Sequence, residues 1–189
     1  MEIIVENKGF EFENIEVSPF KLQQGKLIKI YVPNFRMNGE SLGYTFVKKL
    51  LKVFNQSVPI SELKLIEPLL HTKPFLLNRF LDFFSPKDLE YFLIKKSNLS
   101  QVEMQDVLVK LGLEKTQKIR DLGEATIKIV TILVEFKKND VVLFDYYGIG
   151  VHDYHKMQVI INEEILKGKC AIGFDRLEYI EEVEPYDNI

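Results

Sequence analysis

The sequence predicts an α/β fold: a mostly parallel sheet with flanking helices, an N-terminal antiparallel β lobe and an inserted helical lobe. Three observations predict it. Residues 2–32 alternate apolar and polar side chains and are rich in β-forming types. In 41–54, Leu42, Phe46, Val47, Leu50, Leu51 and Phe54 recur at three- and four-residue spacing, one face of a helix. Two runs without polar alternation, Val141-Val142-Leu143-Phe144 and Cys170-Ala171-Ile172-Gly173-Phe174, bracket a helical pattern over about 153–166. Strand, helix and strand joined by short links imply a parallel pair.

Each element has a local reason. Asn7-Lys8-Gly9 predicts a hairpin turn between Ile3-Ile4-Val5 and the segment of Phe10, Phe12 and Ile15, and Gln23-Gln24-Gly25-Lys26 predicts another before Leu27–Val32. The helix over 41–54 ends by Asn55, ahead of Val58-Pro59. Residues of about 60–122 read as helical. There Ser85-Pro86-Lys87-Asp88 offers an N-cap with proline at the first helical position. Ser100-Gln101-Val102-Glu103 offers a capping box, opening a helix to Leu111 that Gly112 stops. Residues 125–136 set two rules against each other. Their β-branched side chains favour a strand, whereas Ile129, Ile132, Leu133 and Phe136 fit a helix face. A parallel strand at 141 requires a helix there, so helix is the reading. Asp153 is read as the cap of the helix that runs to Leu166.

Composition excludes several classes. The chain has 189 residues, with 25 Lys and Arg against 28 Asp and Glu, so no basic footprint for nucleic acid is present. That length suits a single domain, 1–189, with its helical lobe at about 60–122 and an acidic tail at about 178–189. One cysteine, Cys170, allows no internal disulfide and fits a reducing compartment. No run reaches the roughly 18 apolar residues of a membrane span, and the start lacks a signal-peptide pattern. A cytoplasmic chain with no direct membrane insertion is expected.

Two constellations stand out. Asp145, His152, Asp153 and His155 lie close in sequence and could ligate a divalent metal, against the plainer reading of a helix start with solvated histidines. Phe75–Phe84 is the most apolar stretch, with Phe75, Leu76, Phe80, Phe83 and Phe84 either forming the helical lobe's own core or an exposed docking patch.

The order of parts resembles the nucleotide-binding domain of ATP-binding cassette (ABC) transporters. The resemblance spans nearly the whole chain. Val32-Pro33-Asn34 stands where that family's phosphate loop begins, and Asp121-Leu122-Gly123-Glu124 stands at its signature, after Leu111-Gly112-Leu113. Val141–Asp145 matches the Walker B strand, and a second covered strand ends in Phe174-Asp175.

The departures decide what the resemblance implies. A phosphate loop uses glycines to turn backbone N–H groups toward phosphates, a Lys to reach them, and a Ser or Thr to hold magnesium. Here the loop is Pro33-Asn34-Phe35-Arg36-Met37-Asn38-Gly39-Glu40, with Asn38 aligned to the Lys and Glu40 to a hydroxyl residue. Lys48 and Lys49 lie too far along the next helix to substitute, and Arg36 is the loop's lone cation. Tyr146 stands in place of the catalytic Glu, and Phe174 in place of the switch histidine. Gly123 is followed by acidic Glu124 rather than presenting paired glycines, and no Gln is evident near Glu67-Pro68.

Pro33, Asn34, Asn38, Gly123, Asp145 and Phe174 are therefore expected to be degenerate nucleotide-site positions, with no cofactor, no catalytic residue and no metal. The resemblance implies a catalytically inactive ABC-like subunit working through protein contacts. Its expected partners are a second copy, an active ABC subunit, or a membrane permease that would hold it at the membrane periphery. Tyr146 and Tyr147 are expected to fill the unused pocket. The alternatives are a small metal- or nucleotide-dependent hydrolase, and a sensor that binds nucleotide without hydrolysis.

Overall fold

In the computed structural model, residues 3–35, 39, 41–66, 69, 72 and 87–176 are described. The chain divides into two units. The first comprises Met1–His71, Val141–Tyr147 and Ile165–Ile189, and the second Thr72–Asp140 and Gly148–Glu164.

The first unit begins with five strands: β1 (Ile3–Asn7), β2 (Phe10–Phe12), β3 (Ile15–Val17), β4 (Phe20–Gln23) and β5 (Leu27–Val32). Their pairing differs from the expected succession of hairpins. β1 lies antiparallel to β4, not to β2. The Asn7 side chain explains the detour: its Oδ1 accepts from Gly9 N at 3.0 Å, while its Nδ2 donates to the Ser18 carbonyl at 2.8 Å. This side-chain turn sends the chain away rather than back. The hairpin is β2–β3, closed by Glu13 and Asn14 at φ 49° and 63°. Two positive φ values match the twist of a two-residue hairpin.

Gly25, at φ 73°, makes the second expected turn, with Lys26 N donating to the Gln23 carbonyl at 3.2 Å. It joins strands of two different sheets. β6 (Leu63–Leu65), a segment expected to be helical, is extended and pairs with the other edge of β1, giving the order β4-β1-β6.

The parallel sheet has the order β5-β8-β7, with β7 at Val141–Asp145 and β8 at Cys170–Arg176. In register, Lys29 faces Gly173 and Phe144 faces Gly173 from the other side. Helix α1 (Gly43–Phe54) buries Phe46, Val47, Leu50, Leu51, Val53 and Phe54 in one cluster with Ile30, Val32, Leu143, Ile172 and Phe174. Phe54 sits edge-on to Phe174 at 5.5 Å and stacks on Phe20 at 6.3 Å. The apolar periodicity of α1 thus covers one face of the sheet and reaches the antiparallel lobe.

The second unit is helical among the described residues. It holds a π-helical segment (Tyr91–Lys96), α2 (Gln101–Leu111), a 3-10 turn (Ile119–Asp121), α3 (Glu124–Lys138) and most of α4 (Val151–Leu166). The expected cap at Ser85 lies outside the described residues. Helical structure starts at Leu89 instead, where Asp88 Oδ1 accepts from Tyr91 N at 2.9 Å. Ser100 and Glu103 form the full capping box, and Gly112 closes α2 at φ 65°.

α3 resolves the conflict at 125–136 in favour of helix. Lys128 to Leu133, Val134 and Phe136 are all buried, so the segment is covered nearly all round, and burial outweighs β-propensity. Thr131 returns its hydroxyl to the Ile127 carbonyl at 2.8 Å. α4 starts at Val151, so Asp153 lies in its first turn and does not cap it. Buried Glu164 of α4 pairs with Lys110 of α2, which also meets Glu163 at 3.3 Å. Among the described residues, no helix is long and apolar enough to cross a membrane.

Candidate functional site

The carboxyl ends of β5, β7 and β8 and the start of α1 converge within the first unit. Beyond β5, the Asn34 carbonyl accepts from Leu42 N at 2.8 Å, and Phe35 bridges Ser41 antiparallel. This pairing ties the neck of the loop, and it engages the Leu42 amide with a backbone carbonyl. Gly39 takes φ 79°, while Arg36, Met37, Asn38 and Glu40 lie outside the described residues. α1 opens at Gly43 with no side-chain cap and no acidic residue in its first turn. Its first large side chain is Tyr44.

At the end of β7, Asp145 is fully buried, and its Oδ1 accepts from Tyr147 N at 3.0 Å. Opposite it stands Phe174, whose carbonyl accepts from Tyr146 N at 2.9 Å. Strand alternation places Asp145 and Phe174 on the face that α1 covers, and Tyr146 on the other. Tyr146 is fully buried, with its ring 5.1 Å from that of Phe144. Both rings lie over Gly173: a Cβ there would come within 2.9 Å of Tyr146 Cε2 and 3.0 Å of Phe144 Cζ. The glycine is needed for the space it leaves.

Lys29 Nζ lies 5.1 Å from the Tyr146 centroid. Burial draws the Lys29 ammonium below its usual range, opposed by the carboxylate of Asp175. Asp175 is fully buried, its Oδ1 accepting from Arg176 N at 2.8 Å. Burial, with the same carboxylate, raises the Tyr31 hydroxyl. On the α1 side, burial and then the Asp145 charge raise the Tyr44 hydroxyl. Tyr44 stacks on Tyr147 at 5.6 Å and 30°. Lys48 Nζ sits 4.6 Å over the Tyr44 ring, and the Arg176 guanidinium 5.9 Å from the Tyr147 ring.

The sequence-predicted positions divide between the units. Pro33, Asn34, Asp145 and Phe174 gather at the strand ends of the first unit. Gly123 precedes α3 in the second, exposed, its carbonyl accepting from Ile127 N at 3.0 Å. His152, Asp153 and His155 lie in the first turns of α4, with both histidines exposed and His155 edge-on to Tyr154 at 6.1 Å. Among the described residues, no three His, Cys, Asp or Glu side chains group as metal ligands. Asn38, Phe75, Leu76, Phe80, Phe83, Phe84 and the acidic tail lie outside the described residues.

Tyr44, Lys29, Gly173 and Arg176 are the site residues that sequence reading missed. Gly43 just before the steepest helical periodicity was the available signal for Tyr44. A glycine inside a covered strand was the signal for a ring packed on Gly173.

No protein-family model and no curated protein matches the chain. Solved structures do. An ABC-transporter ATP-binding protein from Pyrococcus furiosus superposes with a TM-score of 0.65 at 16% identity, over 91% of this chain and 90% of that one. A nucleotide-free ATP-binding cassette from an ABC transporter gives 0.60 at 15% identity, over 95% and 83%. CbiO1 from Clostridium perfringens, part of an ABC transporter complex, gives 0.56 at 14% identity, over 93% and 79%. The fold is that of the ABC ATP-binding cassette.

Proposed function

We propose that this cassette-fold chain is a non-hydrolysing, ABC ATPase-like subunit that acts through protein contacts. One observation carries the reading: Asp145, the carboxylate at the end of the Walker B-like strand, is followed by two tyrosines that are already engaged. Tyr146 packs over Gly173, and Tyr147 stacks on Tyr44. Hydrolysis in this fold needs a group that orients the attacking water beside a cradled, magnesium-bound phosphate. A phenol packed among rings has neither the charge nor the acceptor strength for that role. The tied neck between Asn34 and Leu42 supports the same reading, since the Leu42 amide is spent on the Asn34 carbonyl.

A role through contacts follows from what the fold retains once turnover is set aside. The solved cassettes include a member of a transporter complex. By analogy with it, the partner is a second copy, an active ABC subunit or a permease, which would place the chain at a membrane periphery. Titration calorimetry with ATP and magnesium is expected to give no binding heat, and a phosphate-release assay no turnover. Size-exclusion with light scattering is expected to report a dimer, or a monomer that shifts on adding a partner subunit. Micromolar ATP binding, or turnover abolished by Asp145→Ala, would refute the reading.

A further inference from the structure

Four side chains form one column at the carboxyl ends of the parallel strands. Arg176, ending β8, faces the ring of Tyr147 just beyond β7, which stacks on Tyr44 of α1, over which Lys48 lies one turn further on. Three elements are thus clasped at the edge where open α/β sheets admit ligands. Its inner ring, Tyr147, packs against the apolar core around Phe46 and Phe54, whereas Tyr44 is 36% exposed and Lys48 is exposed. Asp145 lies beneath it, with its Oδ1 already taken by Tyr147 N.

We propose that this column is an internal plug, an autoinhibitory contact that keeps phosphorylated ligands out of the crevice at the strand ends. The proposal rests on the non-hydrolysing reading and names the side chains that enforce it. Without the rings, the described groups at these strand ends include the cations Arg176 and Lys48, an α1 first turn free of acidic residues, and the buried carboxylates of Asp145 and Asp175. That lining favours a small polyanion over a neutral solute.

The test uses inorganic pyrophosphate as the probe and melting temperature as the readout, on the full chain. Wild type and Tyr44→Phe/Tyr147→Phe, which keep both rings, are expected to stay flat at about 10 mM probe. Tyr44→Ala/Tyr147→Ala, checked for native circular dichroism, is expected to rise by about 3–6 °C if the opened crevice has a dissociation constant near 1 mM. A folded double variant that stays flat overturns the plug and leaves the non-hydrolysing reading intact. Should the double variant fail to fold, Tyr44→Ala, a change at a partly exposed helical position that adds no charge, puts the same question with a smaller expected rise. A flat result for that variant also overturns the plug. Wild-type protein that shifts with ATP and magnesium overturns the non-hydrolysing reading instead.

Discussion

Gly173→Ala tests the packing beneath the candidate site directly. The added methyl carbon would lie 2.9 Å from Tyr146 Cε2, and 3.0 and 3.1 Å from Phe144 Cζ and Cε2. Ordinary carbon–carbon contact begins near 3.5 Å, so two rings must each yield by roughly half an ångström. Both are fully buried, and close packing of an interior leaves such rings little room to yield. Overpacking of this kind costs about 1–3 kcal/mol, which lowers the melting temperature of a chain this size by about 2–12 °C. Urea denaturation of wild type, Gly173→Ala, Tyr146→Ala and the double variant isolates the cause. Removing the Tyr146 ring relieves the closest contact, so the alanine should cost less in that background, with a coupling of about 0.5–2 kcal/mol. A Gly173→Ala protein as stable as wild type, or a coupling near zero, would show that the Tyr146 ring does not rest on β8.

Two further outcomes follow. Ser100→Ala removes the acceptor for Glu103 N and the hydroxyl that Glu103 Oε2 accepts from at 2.7 Å, and should cost about 1 kcal/mol by chemical denaturation, whereas Ser100→Asp should retain most of it. The raised Tyr44 hydroxyl means that the folded state holds its proton above the ordinary value of about 10, so stability from this group is intact below that pH and falls as alkali rises through the folded value. In ultraviolet titration, Asp145→Asn removes the negative charge that adds to burial in raising Tyr44 and should move one tyrosine transition to lower pH; an unmoved curve would separate Tyr44 from Asp145.

Local signals made much of this fold legible. The capping box at Ser100, the left-handed stop at Gly112 and the face of α1 each depend on residues within a few turns, and each stands where its spacing places it. The parallel pairing of β7 and β8 followed from a short helical link. The β1 partner was not legible. Asn7-Lys8-Gly9 can return a strand or divert it, and the choice rests on a bond to Ser18 eleven residues away. α3 was ambiguous because its β-branched side chains oppose the helix, and only its all-round burial decides. At the site, Asp145 and Phe174 were found because strand ends are read from the ends of apolar runs. Tyr44 was missed because the loop-to-helix junction falls at Gly43, later than motif alignment placed it.

The pairing of β5 with β8 also constrains how the chain is made. Ile28 meets Ile172 and Tyr31 meets Asp175, so the strand synthesised early must wait for roughly 140 more residues before its neighbour exists. At about 5–20 residues per second, translation leaves Leu27–Val32 without that neighbour for roughly 7–30 s. Such an apolar, β-prone segment invites pairing with other nascent chains. Lys29, set between two isoleucines, puts a charge inside that segment of the kind that opposes such pairing, and in the folded chain it lies beside Tyr146.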